Sequence, residues 1–280
     1  MSETLSDVQS RLDNIRQLDA VVTAMRGIAA ARVQQSRKAL EGIAAYTRTV
    51  SGAIGEALSL PAMRRLPPGP AADGRLIIVF AAEQGLAGGY NNRVLLALGT
   101  PPSGATLLVV GSRGAMALQE QGCAPAWTVR MASQIGAVAE VAGQVADELY
   151  RRIARGQAAR VELIHARLDD SRHIAVTRSA LFPLDFAAFP AAVRPNPPLI
   201  SLPPAHLLES LAAEYVYARL CEAATQAFAS ENQARLDAMS AASSNIGRKR
   251  EDLARRENQL RQEAVTTELI ELAAGAGLIG

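Results

Sequence analysis

The chain has 280 residues and a net charge of +2, and aromatic residues make up only 4% of it. This balance gives no strong field for nucleic acid, and so few aromatic side chains disfavour an aromatic-lined ligand pocket or a base-stacking platform. Cys123 and Cys221 lie far apart without metal-ligand spacing, and no apolar run reaches the roughly 20 residues that a membrane-spanning helix needs.

Residues 1–60 are predicted to form the first arm of a coiled coil. All 14 prolines lie between Pro61 and Pro204, so both ends of the chain are free of a residue that costs about 3 kcal/mol inside a helix. Apolar residues recur in the first arm at steps of three and four, with one slip, which is typical of a coiled-coil seam. The seam residues are Leu5, Val8, Leu12, Ile15, Leu18, Val22, Met25, Ala29 and Val33.

Residues 74–190 have the pattern of an α/β domain. Short apolar runs predict strands at 75–81, 105–110, 126–131, 160–165 and 173–177, and helical stretches lie near 92–98, 114–121 and 138–155. Strands that alternate with helices predict a mostly parallel, Rossmann-like sheet that is covered on both faces. Only the turn 168–171 separates the last two strands, which should therefore pair as an antiparallel hairpin.

A glycine-rich turn, 83–92, follows the first predicted strand and precedes a helix. Such turns can present backbone N–H groups to phosphate, so nucleotide binding must be weighed. The order Gly85-Leu86-Ala87-Gly88-Gly89 fits neither the dinucleotide-binding nor the P-loop spacing, and no lysine follows it. No acidic residue lies about 20 positions on, where a ribose would need one. We interpret the segment as a structural strand-to-helix turn that binds no cofactor.

The sequence predicts neither a catalytic residue nor a metal site. His165, His173 and His206 have no metal-ligand spacing among them. Ser112 lies between glycines, but the spacing is one residue short of the nucleophile elbow of hydrolases.

Residues 205–280 are predicted to form the second arm, a helix of about 70 residues and on the order of 100 Å. Between 247 and 263 its only large apolar residues are Leu253 and Leu260, which with Ile246 repeat at a spacing of seven. A helix this polar cannot be buried in a globule. An antiparallel pair with the first arm would satisfy both seams and leave the α/β domain at one end.

Short motifs occur at fixed places in both arms and in the glycine-rich turn. They are Thr23-Ala24-Met25, Ala29-Ala30-Ala31 and Arg32 in the first arm, Gly85-Leu86, Gly88-Gly89, Tyr90 and Asn91 in the turn, and Ser230-Glu231, Arg235, Ala238-Met239, Asn245 and residues 261–271 in the second arm. The last of these, RQEAVTTELIE, has several polar and apolar positions at fixed spacing near the end of a long helix.

These motifs resemble those of the gamma subunit of F-type ATP synthases, the central rotor stalk, over essentially the whole chain. Residues 261–271 are similar to the family's R-Q-x-x-I-T-x-E-L-x-E-I, and the turn is similar to its D-R-G-L-C-G-G-[FY]-N. The turn departs from that pattern at Glu83, Gln84 and Ala87, and Ala24 stands where the family commonly has a basic residue. Residues 247–257 are more charged than the family pattern, which indicates a divergent or accessory type of ATP synthase.

The resemblance implies the central stalk of a proton- or sodium-translocating ATP synthase, which couples ion-driven rotation to conformational change in the catalytic beta subunits. It implies no catalytic residue, cofactor or metal in this chain. The implied partners are the alpha and beta subunits of the catalytic ring, the epsilon subunit and the membrane ring of c subunits, without nucleic acid. The implied location is peripheral, at the cytoplasmic face of the bacterial inner membrane. The residues expected to contact the catalytic ring are Met25, Arg32, Arg235, Arg261, Gln262, Thr266, Glu268 and Glu271.

Two other classes of protein fit the same pattern. One is a scaffold that uses the coiled coil to bind a non-rotary partner, and the other is a nucleotide-binding α/β enzyme with a coiled-coil appendage. For each expected contact residue, ordinary packing within the coiled coil or pairing at a spacing of four is the structural alternative.

Overall fold

The computed structural model describes residues 4–60, 74–169, 171–190 and 199–276, and not the side chains of residues 271 and 273–276. Its helices and strands are α1 (Leu5–Leu58), β1 (Arg75–Phe80), α2 (Tyr90–Leu98), β2 (Ala105–Val110), α3 (Ser112–Glu120), β3 (Trp127–Val129), α4 (Val138–Ala154), β4 (Arg160–Leu168), β5 (Ile174–Phe182) and α5 (Pro204–Ala276). The predicted fold class, two long terminal helices and an α/β domain between them in sequence, is confirmed. Among the described residues, no helix combines the length and the apolar character that a membrane crossing requires.

The chain forms two compact units, and each long helix contributes to both. The coiled-coil unit comprises Met1–Ile28 and Leu236–Gly280, and the sheet unit comprises Ala29–Arg235. The domain boundaries expected from proline placement, at 60, 74, 190 and 205, stay a prediction. Residues 1–3, 170 and 277–280 of those spans lie outside the described residues.

In the coiled-coil unit, α1 and α5 pack as an antiparallel pair. Val8 and Leu12 lie in one apolar cluster with Leu253, and Val22 lies in another with Ile246. The partners on α5 therefore step backward along the chain as α1 advances. The narrow apolar stripe predicted for the second arm faces α1, because a seven-residue repeat keeps one side of a helix toward its partner.

The predicted seam is wrong at one position, Leu18. Leu18 is 51% exposed, and Asp19 faces α5 instead, with its carboxylate 3.7 Å from a guanidinium nitrogen of Arg250. Asp19 stands four residues after Ile15 and three before Val22, so steps of three and four alternate without a slip from Leu5 to Val22. Leu18 comes one residue earlier, about 100° around the helix from that position.

In the sheet unit, the remaining parts of α1 and α5 also run antiparallel to each other. Ile54 of α1 packs with Leu208 of α5, and the Tyr46 hydroxyl donates a hydrogen bond to the Glu214 carboxylate. Residue numbers again rise on one helix as they fall on the other.

The sheet has five strands in the order β3-β2-β1-β4-β5. β1 pairs in parallel with β2 and β4, β2 pairs in parallel with β3, and β4 and β5 form the predicted antiparallel hairpin. Both hairpin strands extend beyond their predicted ends. Because β1, β2 and β3 are parallel, the segments that follow them meet at one edge of the sheet.

Helices cover both faces of the sheet, and α5 is one of them. Ile78 and Phe80 of β1 pack toward α4 and α5, whereas Ile77 and Val79 pack toward α2 and α3. This follows from the alternation of side chains along a strand. Each large apolar side chain buried in this way contributes about 1.5–3 kcal/mol, so the part of α5 in this unit is a core element.

Candidate functional site

A buried pair of charges ties the glycine-rich turn to helix α5. The Glu231 carboxylate accepts hydrogen bonds from the backbone N–H groups of Glu83 and Gln84, at 3.1 and 3.2 Å. Arg235, one helical turn further on, donates to the Gly85 carbonyl at 3.2 Å and to Glu231 at 2.6 Å. Both charged side chains are only 5% exposed. We call Glu231, Arg235 and residues 83–85 the clamp.

The clamp is a satisfied ion pair rather than an isolated one. Buried charges are tolerated when hydrogen bonds occupy their remaining donors and acceptors, and here backbone groups of the turn supply these bonds. Arg235 also donates to the side-chain oxygen of Asn232 at 3.2 Å. The turn continues into Leu86, whose φ of 61° is rare for a residue other than glycine. The clamp therefore holds a backbone segment of unusual geometry against α5.

The carboxylate of Glu83 lies at the start of α3, where parallel sheets commonly bind phosphate. It accepts hydrogen bonds from the backbone N–H groups of Ser112 and Met131, at 3.0 and 2.9 Å, and from Arg130 Nε at 3.1 Å. A helix N-terminus beside parallel strand ends attracts anions. The chain's own carboxylate engages these N–H groups, which supports the interpretation of the segment as a structural turn.

Replacing Glu83 by glutamine should lower the free energy of unfolding at pH 7 by about 1–3 kcal/mol, because three donors lose a charged acceptor. Burial acts to raise the pKa of Glu83, but the hydrogen bonds from Ser112, Met131 and Arg130 outweigh it and hold the pKa below 4.5. A carboxyl group whose pKa is depressed by folding stabilises the protein above its unfolded pKa, and this contribution is lost as the pH falls through the folded pKa.

Urea unfolding of Glu83→Gln and of the wild type at several pH values checks this expectation. The difference between the two proteins should shrink as the pH falls below about 4.5. Glu41→Gln, a change at an exposed position of α1, is the control and should alter stability by less than about 0.5 kcal/mol. A Glu83→Gln difference that is independent of pH would contradict the anchoring role.

The end of helix α5 is the second candidate site, and it belongs to the coiled-coil unit. Four of the predicted contact residues, Arg261, Gln262, Thr266 and Glu268, are exposed there on successive turns. Arg261 is 2.8 Å from a carboxylate oxygen of Glu257. The Thr266 hydroxyl donates to the backbone carbonyl of Gln262 at 2.8 Å, and the Gln262 side chain is exposed. The side chain of Glu271, the fifth predicted residue of this stretch, lies outside the described residues.

Large apolar side chains share this end of α5 and were not among the predicted contacts. Val265, Leu269, Ile270 and Leu272 are 51%, 62%, 64% and 70% exposed. Single exposed apolar residues are ordinary on a protein surface, but a concentration of them marks an interaction site. The signal is present in the sequence, because these residues follow the last member of the seven-residue repeat, Leu260, without continuing it.

The other predicted contact residues have structural surroundings. Met25 is half-buried and packs with Val22 and Ile246 in the coiled-coil unit. Arg32, in the sheet unit, is half-buried. Arg235 is buried in the clamp, where Glu231 and the turn occupy its donors. Its expected contact with a catalytic ring stays a prediction. The sequence identified Arg235 as a candidate contact residue, but it did not reveal that Arg235 binds Glu231 and the glycine-rich turn.

No group of three or more histidine, cysteine or acidic residues in the described part of the chain lies close enough to hold a metal ion. Both cysteines are free thiols, with Cys123 half-buried and Cys221 buried.

Comparisons with known proteins all identify the same family. The family model described as ATP synthase matches residues 4–277. The chain is 28% identical to the ATP synthase gamma chain of Nostoc punctiforme, over 97% of this chain and 98% of that one. It is 27% identical to the gamma chain of Rhodospirillum rubrum, over 99% of each.

Solved structures share the fold. A rotor chain of the Euglena gracilis mitochondrial ATP synthase aligns with a TM-score of 0.62 at 16% identity, over 93% of this chain and 98% of that one. A chain from the central stalk and c-ring of the Tetrahymena thermophila enzyme aligns with a TM-score of 0.58 at 18% identity, over 80% and 99%.

Proposed function

Because the chain belongs to the ATP synthase family, we propose that it is the gamma subunit, the central stalk of a proton- or sodium-translocating F-type ATP synthase. The observation that carries the proposal is the similarity to gamma chains over 97–99% of both sequences. In this proposal, 1–60 and 205–280 supply the coiled coil and 74–190 supplies the α/β domain.

The subunit acts as a moving part and performs no bond chemistry of its own. A rotor shifts the nucleotide affinity of each catalytic subunit when one orientation of its surface stabilises one conformation of that subunit more than another. Rotation is coupled to nucleotide affinity by the difference in contact between orientations, rather than by the strength of any one contact. Glu83 supports a non-catalytic role, because the polar groups at the edge of the sheet are engaged with one another.

The exposed end of α5 is the proposed surface of contact with the catalytic ring. Its apolar residues, Val265, Leu269 and Ile270, supply area that can slide without breaking hydrogen bonds. Its exposed polar residues, Arg261, Gln262, Thr266 and Glu268, can pair and unpair at low net cost, since exposed ion pairs contribute roughly 0–1 kcal/mol. Glu271 and the half-buried Arg32 remain in the proposed set. Met25 and Arg235, which also make contacts within this chain, stay in the set as predicted contacts.

The clamp explains how force passes between the sheet and α5 within the sheet unit. The apolar face of α5 packs against the sheet without directional bonds, and such packing resists separation better than it resists sliding. Glu231 and Arg235 add directional hydrogen bonds to the turn after β1. We expect α5 and the sheet to move together for this reason.

The proposed partners are the alpha and beta subunits of the catalytic ring, the epsilon subunit and the ring of c subunits. The solved structures that share the fold belong to rotor, central stalk and F1/c-ring assemblies, which supports this set. Through these partners the chain would be held peripherally at the cytoplasmic face of the bacterial inner membrane.

Affinity purification of the tagged full-length chain from its own cells tests the proposal. The alpha, beta, epsilon and c subunits should co-purify, together with ATPase activity that the isolated chain lacks. Recovery of the chain with a different set of partners, and without an ATPase ring, would favour the coiled-coil scaffold and contradict the central stalk.

A further inference from the structure

Three arginine side chains from different parts of the sheet unit line one surface cavity. The cavity has a volume of about 390 Å³, and Arg37 of α1, Arg167 near the end of β4 and Arg172 in the β4–β5 turn border it. All three residues are exposed. Within the described part of the chain, none of the three guanidinium groups is paired with a carboxylate.

The charges of the described residues that line the cavity do not balance. Asp169 is the one acidic residue among the described residues that line it, and its carboxylate is used to close the turn. One oxygen accepts the backbone N–H of His173 at 2.7 Å, and the other lies 3.6 Å from His173 Nδ1. Among the described residues, three guanidinium groups against one carboxylate leave an excess charge of about +2, and like charges gathered at one cavity repel unless an anion joins them.

The backbone of the turn is held in a conformation that favours glycine. Arg172 has a φ of 64°, and its backbone N–H donates to the Asp169 carbonyl at 2.9 Å. The left-handed conformation costs a non-glycine residue about 1–2 kcal/mol. Strain of this kind is concentrated at functional sites such as ligand clamps.

The chemistry of the cavity indicates the class of ligand. Guanidinium groups present planar pairs of N–H donors that match the oxygens of phosphate two at a time. A phosphate group carries nearly two negative charges at neutral pH, close to the unbalanced charge of the cavity, whereas a single carboxylate carries one. Leu40 and Ala229 form an apolar wall, and the Gln226 amide adds a neutral polar group.

We propose that the cavity between α1, the β4–β5 turn and α5 binds a phosphate-bearing anion through Arg37, Arg167 and Arg172. The site is separate from the clamp and from the end of α5, and it does not depend on the assignment of the chain as a central stalk. Free pyrophosphate and the diphosphate of a nucleotide share the required chemistry.

Isothermal titration of the full chain with pyrophosphate and with ADP tests the site and separates its two sources. Equal affinities would show that the cavity reads the phosphates alone, and a lower Kd for ADP would show that the apolar wall contributes. Arg37→Gln and Arg172→Gln should each raise the Kd about tenfold, as expected for the loss of a charge-assisted hydrogen bond. Arg37→Lys keeps the charge but loses the paired donors, so it should fall between the wild type and Arg37→Gln.

Arg93→Gln is the matched control, because it removes the same charge from an exposed position of α2 that does not line the cavity. It should keep the Kd within about twofold of the wild type. Circular dichroism of each variant confirms that the helices are retained. Absence of binding, equal weakening by Arg93→Gln and Arg37→Gln, or tighter binding of an oligoglutamate peptide than of pyrophosphate would each overturn the proposal.

Discussion

Replacement of Arg235 by alanine should lower the free energy of unfolding by about 3–5 kcal/mol, the cost of leaving one member of a buried ion pair without its partner. The Glu231 carboxylate would keep its two backbone donors but lose the cation 2.6 Å away. The Gly85 carbonyl would lose its donor as well. Because both side chains are 5% exposed, water cannot replace the missing guanidinium without opening the site.

Denaturant unfolding of the full chain, followed by the fluorescence of the single tryptophan, measures this loss. Trp127 lies in β3 and packs on the apolar cluster of the sheet unit, so it reports on the part that the clamp stabilises. Arg178→Ala is the matched control. Arg178 pairs with Glu162 at 2.7 Å, but these side chains are 39% and 25% exposed, and such a pair is worth about 1 kcal/mol or less. Equal losses in the two variants would show that the clamp is not a buried, stabilising pair.

Much of the fold could be predicted because its signals are local. Proline inside a helix is so unfavourable that the confinement of all prolines to 61–204 delimits the two long helices. β1 and β2 are short, continuous apolar runs, as strands buried on both faces must be. The hairpin strands β4 and β5 were predicted too short, since hydrogen bonds between them extend the ladder past Arg167 and Arg178, whose charges interrupt the apolar pattern.

The seam error at Leu18 shows where a local signal fails. Hydrophobicity favours leucine over the neighbouring Asp19, and only the partner on α5 makes the aspartate acceptable. That partner, Arg250, is remote in sequence. A polar residue in a seam can be recognised from its own helix only when the step pattern is given more weight than the residue type.

The clamp shows the same limit more strongly. Glu231 and Arg235 are spaced to pair on one face of a helix, which the sequence reveals. Their hydrogen bonds to the turn join residues 147–151 positions apart, and no local pattern encodes that contact. Resemblance drew attention to Arg235 but indicated an external partner, whereas burial gives it an internal one.

Replacing Gln262 by leucine together with Glu268 by alanine should leave the chain folded but lower coupled ATP synthesis about tenfold. Both side chains are exposed, and surface changes of this kind usually alter stability by less than about 0.5 kcal/mol. Loss of one charge-assisted contact that is made only in the productive orientation would raise the barrier by about 1.4 kcal/mol, or tenfold in rate. Glu251→Ala, at an exposed position of α5 before its apolar end, is the control and should retain the wild-type rate.

The most direct test of the central claim, that the end of α5 passes rotation to a catalytic ring, is ATP synthesis driven by an ion gradient in membrane vesicles. The rates are compared for vesicles that contain equal amounts of assembled complex with the wild-type chain, Gln262→Leu/Glu268→Ala or Glu251→Ala. We expect the double variant to assemble normally and to synthesise ATP about ten times more slowly than the other two. Equal rates in all three would contradict the claim.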